Sequence, residues 1–292
     1  MDPAHPHALR GVALTILATV CFGCLDTLSK ILVAYYPAPA LVWLRYLLQT
    51  AVMAAIFLPR MGTGLLRTRH PGLQVLRGFF LIGASIVFVL SLGKMQVAEA
   101  AAISFVAPVL VALAGGWLLG ERVHARTWLA LAGGFSGVLL IIQPGGAAFT
   151  WWYLLPLGCA FFFAGYQILT RKLAGHDDPI TTLFIPGLVS CVMVPVAFPG
   201  SAFDVPRMPL HLAMIAVIGV LGGFGHFLLI RAHHDAPATL LAPFAYSQLV
   251  VVTVLGFLTF GQLPNNLALV GMGLVAASGL GLVLASRRRP PA

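Results

Sequence analysis

Charge is what this sequence has least of. Of its 292 residues, 17 are Lys or Arg and 8 are Asp or Glu, so charged side chains make up 9% against 60% hydrophobic. A soluble domain carries about 25% charged residues, so this chain has too little polar surface to stay in water. Acids are scarce enough to limit the chemistry. Asp177-Asp178 is a single acidic pair that reads as a solvated loop, thin support for a diphosphate-handling enzyme. A Walker glycine loop is missing, which argues against ATP as the energy source. His233-His234 lacks the further His or carboxylate that a metal site needs. No metal, cofactor or catalytic residue is expected. The four cysteines, Cys21, Cys24, Cys159 and Cys191, all fall within apolar runs. Cys21-x-x-Cys24 has redox spacing, but inside a lipid-embedded helix the favoured reading is two small packing residues.

What the chain has instead is long apolar runs. A run of about 20 mostly apolar residues spans a bilayer core. Ten such runs cover roughly residues 9–33, 39–58, 72–92, 97–119, 125–142, 151–173, 180–198, 209–231, 237–260 and 265–285. The leader "MDPAHPHALR" is too polar, and the run after it too long, for a cleavable signal peptide. The expected class is a polytopic membrane protein with the lipid bilayer as its main partner.

The positive charge is placed unevenly. With the N-terminus cytoplasmic and the spans alternating, Arg10, Arg60, Arg67, Arg69, Arg77, Arg122, Arg126, Arg171, Lys172, Arg231 and Arg287 to Arg289 fall at the cytoplasmic face. Only Lys30, Lys94 and Arg207 fall at or near the outer face, and Arg45 is within a span. This is the positive-inside pattern. It orients the protein with both termini cytoplasmic, in a bacterial-type inner membrane, and does not indicate a nucleic-acid partner.

Sliding the chain against itself gives a steady register. An offset of 141 pairs Phe22 with Phe163, Lys30 with Arg171, Gly78 with Gly219, Ala101 with Ala242, Val109 with Val250 and Gly120 with Gly261. The halves are residues 1–143 and 144–292. Each holds five spans, an odd number, so the second enters from the opposite side. The expected fold is all-α, with ten transmembrane helices in two inverted five-helix repeats, an architecture of secondary transporters whose substrate binds between the halves near the midplane.

The stretch "AEAAAISFVAPVLVALAGGWLLGERV", followed by "WLALAGGFSGVLLIIQPG", resembles helices 4 and 5 of the drug/metabolite transporter superfamily, EamA type. Pro108, Gly120, Glu121, Gly137 and Val138 occupy the positions that carry the resemblance. "FAYSQLVVVTVLGFLTFGQLPNN" is similar to a second copy, except that Leu249 stands where Pro108 predicts a proline and Gln262 replaces the acid. The resemblance implies a ten-helix bundle with helices 3, 4, 8 and 9 lining a central cavity. It does not imply one substrate, because the family carries amino acids, nucleobases, cationic drugs and sugar-linked metabolites.

Candidate site residues follow from depth and type. Pro108 frees the carbonyl of Ser104 near mid-membrane, where bare backbone must face protein or a wet cavity. The patch either binds a polar substrate group or is a packing kink. Gly120-Glu121 ends the helix, where the acid can pair with Arg122 and Arg126. Asp26 and Lys30, four apart, have the spacing to pair on one face, at a depth similar to Arg45. They form either a structural ion cluster joining helices 1 and 2 or a proton or amine site at Asp26. His226 sits mid-helix with Gly219, Gly222 and Gly223 on its face, which admits a close neighbour. Its imidazole either serves a proton or substrate carboxylate or is a core histidine bonded to a serine or carbonyl. The offset maps it onto Ser85. Around these stand Phe79, Phe88, Phe105, Phe224, Tyr246 and Gln248, with Phe105 and Tyr246 repeat mates. Glu99, with Lys94, is a candidate outer gate.

The expected function is a secondary transporter exporting small metabolites by alternating access. An aromatic-walled pocket with few polar groups suits aromatic or large neutral amino acids. The alternatives are a nucleoside-like metabolite or an organic cation, or else a lipid-processing membrane enzyme. Oligomeric state stays open between monomer and homodimer, since Gly116-x-x-x-Gly120 and Gly133-x-x-x-Gly137 serve either a dimer or packing within one bundle.

Overall fold

The computed structural model describes residues 8–107, 109–111, 114, 125–143, 149–173, 176–201, 203–235, 241 and 244–286. Within them run ten α-helices with defined bounds. They are α1 Ala8–Val33, α2 Ala38–Met61, α3 Pro71–Leu92, α4 Val97–Ser104, α5 Ala125–Ile142, α6 Leu154–Leu173, α7 Pro179–Ala197, α8 Pro209–Asp235, α9 Ser247–Phe260 and α10 Asn266–Ser286. No strand occurs among the described residues. Prolines open several helices, where the missing N–H has no helical partner to lose. Pro71 stands in the first turn of α3 and Pro179 in that of α7, where Asp178 also caps the amide of Ile180 at 2.8 Å. Among the described residues, six helices are long and apolar enough to cross a membrane: Leu9–Val33, Ala38–Leu66, Pro71–Leu92, Trp151–Thr170, Ile180–Ala197 and Pro209–Leu229. Four further apolar helices are shorter within the described residues: Val97–Val111, Ala132–Ile142, Ser247–Phe260 and Asn266–Ser278.

The offset of 141 returns in three dimensions. Helices α2 and α7 begin at Ala38 and Pro179, and α5 and α10 begin at Ala125 and Asn266. Packing repeats with the same register. A Cβ on Gly78 of α3 would stand 2.7 Å from Val189 of α7, and one on Gly219 of α8 would stand 2.6 Å from Leu48 of α2. Gly78 and Gly219 are repeat mates, and so are Leu48 and Val189, so one close helix approach is made twice. In the same way α1 packs on α8 while α3 packs on α6. The pairs α2 with α7 and α5 with α10 are their own counterparts.

At the α5–α10 crossing a Cβ on Gly137 would lie 2.7 Å from the Gly271 carbonyl oxygen. The small residues Gly133 and Gly137 thus serve packing inside one chain. Gly116 and Gly120 lie outside the described residues.

Helix 4 is interrupted where Phe105 and Val106 form a turn, and helicity resumes at residue 107. Tyr246, the mate of Phe105, is likewise the turn residue just before α9. The two interruptions face each other, with ring centroids 5.0 Å apart. Around them Phe88, Leu92, Ile103, Tyr153, Leu249 and Val252 form one apolar core shared by both repeats.

Candidate functional site

Helices α1, α4 and α10 converge on the face opposite the one where α1 begins and α10 ends. That far face holds a cleft of ≈ 500 Å³, lined among others by Lys30, Lys94, Gln96, Glu99, Tyr153 and Asn265. The size suits a mid-sized ligand, since small-molecule sites run from about 300 to 1,000 Å³. Glu99 is buried and accepts a hydrogen bond from the Tyr153 hydroxyl at 3.3 Å. Lys30 donates to the backbone carbonyls of Leu92, at 3.1 Å, and Met95, and lies 5.3 Å from the Phe260 ring centroid. Lys94 stands 4.9 Å over the Trp152 ring. Glu99 therefore binds Tyr153, and its supposed gate partner Lys94 is held elsewhere on the same rim.

One helical turn below Lys30, about 6 Å along the axis, Asp26 is buried and accepts from the Gln248 amide at 3.0 Å. Arg45, within electrostatic reach of Asp26, donates to the Ser85 hydroxyl at 2.8 Å and lies 4.4 Å from the Tyr46 ring centroid. Tyr46 also meets Ser85, at 2.8 Å. No ion pair joins Asp26, Lys30 and Arg45 among the described residues. Each finds a neutral partner on a different helix, so the expected direct cluster between helices 1 and 2 is replaced by ties to α3 and α9. The buried Tyr246 hydroxyl and Arg45 Nε make no hydrogen bond among the described residues. Such donors cost free energy unless a ligand or water accepts from them.

Ser104 donates to Ala100 O at 2.9 Å and to Pro156 O at 3.4 Å, which joins α4 to the start of α6. His226 is bonded through Nδ1 to the Gly222 carbonyl at 2.7 Å and stands edge-on to Phe22 at 5.1 Å. Its glycine face does admit a neighbour, since Gly222 and Gly223 adjoin Gln49 of α2. Phe79 and Phe224 are 46% and 47% exposed and do not enclose the interior, because their helices turn those faces away from the bundle. Phe88, Phe105 and Tyr246 share one core. Pro108 and Glu121 lie outside the described residues.

Sequence reasoning missed one node entirely. Arg77, expected at the cytoplasmic face, is 3% exposed. It donates to Thr170 Oγ1 at 2.7 Å, the Tyr166 hydroxyl at 2.8 Å, Gln74 Oε1 at 3.3 Å and the Thr182 carbonyl. Its position six residues into α3 was the available signal, since a membrane-buried cation seeks a partner.

A polar far-face cleft, with Asp26 buried one helical turn below its Lys30 and a helical bundle built twice, fits a membrane carrier. The sequence profile of the EamA-like transporter family matches residues 9–143 and again 150–284. The protein belongs to that family. Its fold is all-α and membrane-integral, with ten transmembrane helices in two inverted five-helix repeats. It is a multi-pass membrane transporter of small metabolites, not an enzyme.

Among its relatives is a riboflavin transporter of Vibrio cholerae, 25% identical over 93% of this chain and 92% of its own. An S-adenosylmethionine uptake transporter of Rickettsia prowazekii is 24% identical over 99% and 97%. A riboflavin transporter of Rhizobium johnstonii is 27% identical over 97% and 94%. A protein of solved crystal structure, 20% identical, superposes with a TM-score of 0.64 over 96% of this chain and 98% of its own, a likeness of fold alone. Amino-acid export has no counterpart in these names.

Proposed function

We propose that the protein takes up an uncharged, acceptor-rich heteroaromatic metabolite of the flavin class. The carrying observation is the ≈ 500 Å³ far-face cleft, polar at its rim, whose helices α1 and α4 lead to Asp26 and to the Phe105–Tyr246 pair. Aromatic rings give a planar heterocycle stacking partners. The free Tyr246 hydroxyl and Arg45 Nε supply donors for its carbonyl edge, while Gln96, Glu99 and Asn265 suit a polyol chain. Riboflavin transport by two relatives supports the class, and the word uptake in the name of a third supports the direction.

A sulfonium substrate such as S-adenosylmethionine is the competing reading. It needs an acid free of cations, whereas Arg45 is within reach of Asp26 and Lys30 within reach of Glu99. In this reading the repeats divide between residues 143 and 144. Both termini are cytoplasmic in a bacterial inner membrane, so the far face is external, and each monomer carries a complete path.

Counterflow in proteoliposomes tests the proposal. Vesicles are preloaded with unlabelled riboflavin, S-adenosylmethionine or phenylalanine and offered the labelled compound outside. Accumulation of riboflavin alone is expected. Accumulation of phenylalanine or S-adenosylmethionine without riboflavin overturns the substrate class and leaves a transporter.

A further inference from the structure

Two contacts between the halves, one at each membrane face, use the same repeat positions. At the far face the Tyr36 hydroxyl meets His211 Nδ1 at 2.9 Å, and the Tyr35 ring lies 4.9 Å from the His211 ring. Tyr35 and Tyr36 join α1 to α2 in the first repeat, and His211 opens α8 in the second. Adding 141 to Tyr35 and Tyr36 gives His176 and Asp177, and subtracting 141 from His211 gives His70. These three also meet, at the opposite face. The His70 and His176 rings lie 5.3 Å apart. The Asp177 carboxylate accepts from the Arg69 amide at 2.9 Å, from Gln74 Nε2 at 2.9 Å and from the Thr68 hydroxyl. A third tie repeats approximately. The Arg10–Asp235 ion pair of 3.3 Å corresponds to Trp151 and Lys94, and Lys94 instead sits over the adjacent Trp152.

We infer that these are two matched latches, a Tyr–His latch at the far face and a carboxylate latch at the opposite face, which must open in turn for a solute to pass. An inverted repeat generates every gate twice, and alternating access requires that the two never be open together. The chemistry of the two has diverged. The far latch is one neutral hydrogen bond with ring contacts, while the other is a carboxylate with three donors. Hydrogen bonds to a charged group contribute roughly twice what neutral ones do, so the far latch is the weaker. The empty carrier therefore opens first to the far face, where the cleft already lies. The latches act the same way whatever solute is carried.

A ligand-free accessibility measurement tests this. Gln248→Cys, beside Asp26, serves as an interior reporter in protein whose Cys21, Cys24, Cys159 and Cys191 are replaced by serine. Reconstituted protein is labelled with an impermeant maleimide from one face or the other. The reporter should label faster from the far face. Asp177→Ala should raise labelling from the opposite face about tenfold, and Tyr36→Phe should raise labelling from the far face about threefold. In the Asp177→Ala background, a short thiol cross-link between His70→Cys and His176→Cys, closed before labelling, should restore protection. That restoration separates unlatching from misfolding. Variants that raise labelling equally from both faces, or not at all, overturn the inference. Failure to transport riboflavin does not bear on it.

Discussion

The two repeats share a backbone but not a chemistry. Beside the buried His211 of the second repeat, the first supplies Asp26, Arg77 and Glu99, which are buried, and Lys30 and Arg45, which are half-buried. The matching positions of the second are Gln167, Ile218, Leu240, Arg171 and Pro186. In return the second repeat supplies neutral partners: Gln248 for Asp26, Tyr153 for Glu99, and Tyr166 with Thr170 for Arg77. Duplication gives a carrier its two-fold mechanics, and the mechanics constrain only shape. Once the crossings Gly78–Val189 and Gly219–Leu48 are kept, side chains in the interior are free to specialise. Pairing Asp26, Glu99 and Arg77 with neutral groups on the other half also suits a moving interface, while Lys30 and Arg45 are held within their own half. Hydrogen bonds to a neutral partner are cheaper to break than a buried ion pair.

This division can be broken most severely at Arg77. Arg77→Leu leaves Thr170, Tyr166 and the Thr182 carbonyl without their shared donor, and should destabilise the fold by about 3 kcal/mol or more. A thermal melt of detergent-purified protein reads this as a lowered Tm, with Arg77→Lys falling between. Exchanging Asp26 and Gln248, as Asp26→Gln with Gln248→Asp, keeps their hydrogen bond and moves the charge to the other repeat. Stability should change by less than about 1 kcal/mol, while transport falls at least tenfold because the carboxylate has left its place near Arg45. At the α5–α10 crossing, Gly137→Leu forces two backbones apart and should cost about 1–3 kcal/mol, whereas the same change at exposed Gly273 should be near neutral.

The smallest effect concerns pH at the Asp177 latch. Burial pushes the Asp177 carboxyl up, but hydrogen bonds from Thr68, the Arg69 amide and Gln74, with the charge of nearby His70, outweigh it and hold it below the ordinary aspartate range. A depressed carboxyl stabilises the latched state above its ordinary value and loses that contribution only as pH falls through the lowered one. The ratio of reporter labelling from this face to labelling from the far face at the same pH, in which the falling thiolate fraction cancels, should thus be flat from neutral pH down to about pH 4. A rise around pH 6 would assign the latch to a histidine instead.

Most of the fold was legible in the sequence, because span length and the offset of 141 depend only on apolar runs. The interior was less so. Asp26 and Lys30 have the spacing of an ion pair, yet Lys30 binds the carbonyls of Leu92 and Met95, and backbone acceptors leave no trace in a sequence. Asp26 finds Gln248, 222 positions away, a pairing set by how α9 crosses α1. Phe79 and Phe224 looked like cavity walls because aromatic type alone does not reveal which face of a helix meets lipid. The latches were present in the register as Tyr35, Tyr36 and His211 against His176, Asp177 and His70. Unlike residues do not score as a repeat, so only their contacts disclosed them.

A flavin-class solute is proposed to occupy the space between the two repeats, beside Asp26 and Gln248. Maleimide labelling of Gln248→Cys in nanodiscs, with and without saturating riboflavin, tests it most directly. Riboflavin is expected to slow labelling about tenfold or more, and S-adenosylmethionine and phenylalanine at equal concentration to leave it unchanged. Equal labelling rates with and without riboflavin would contradict it.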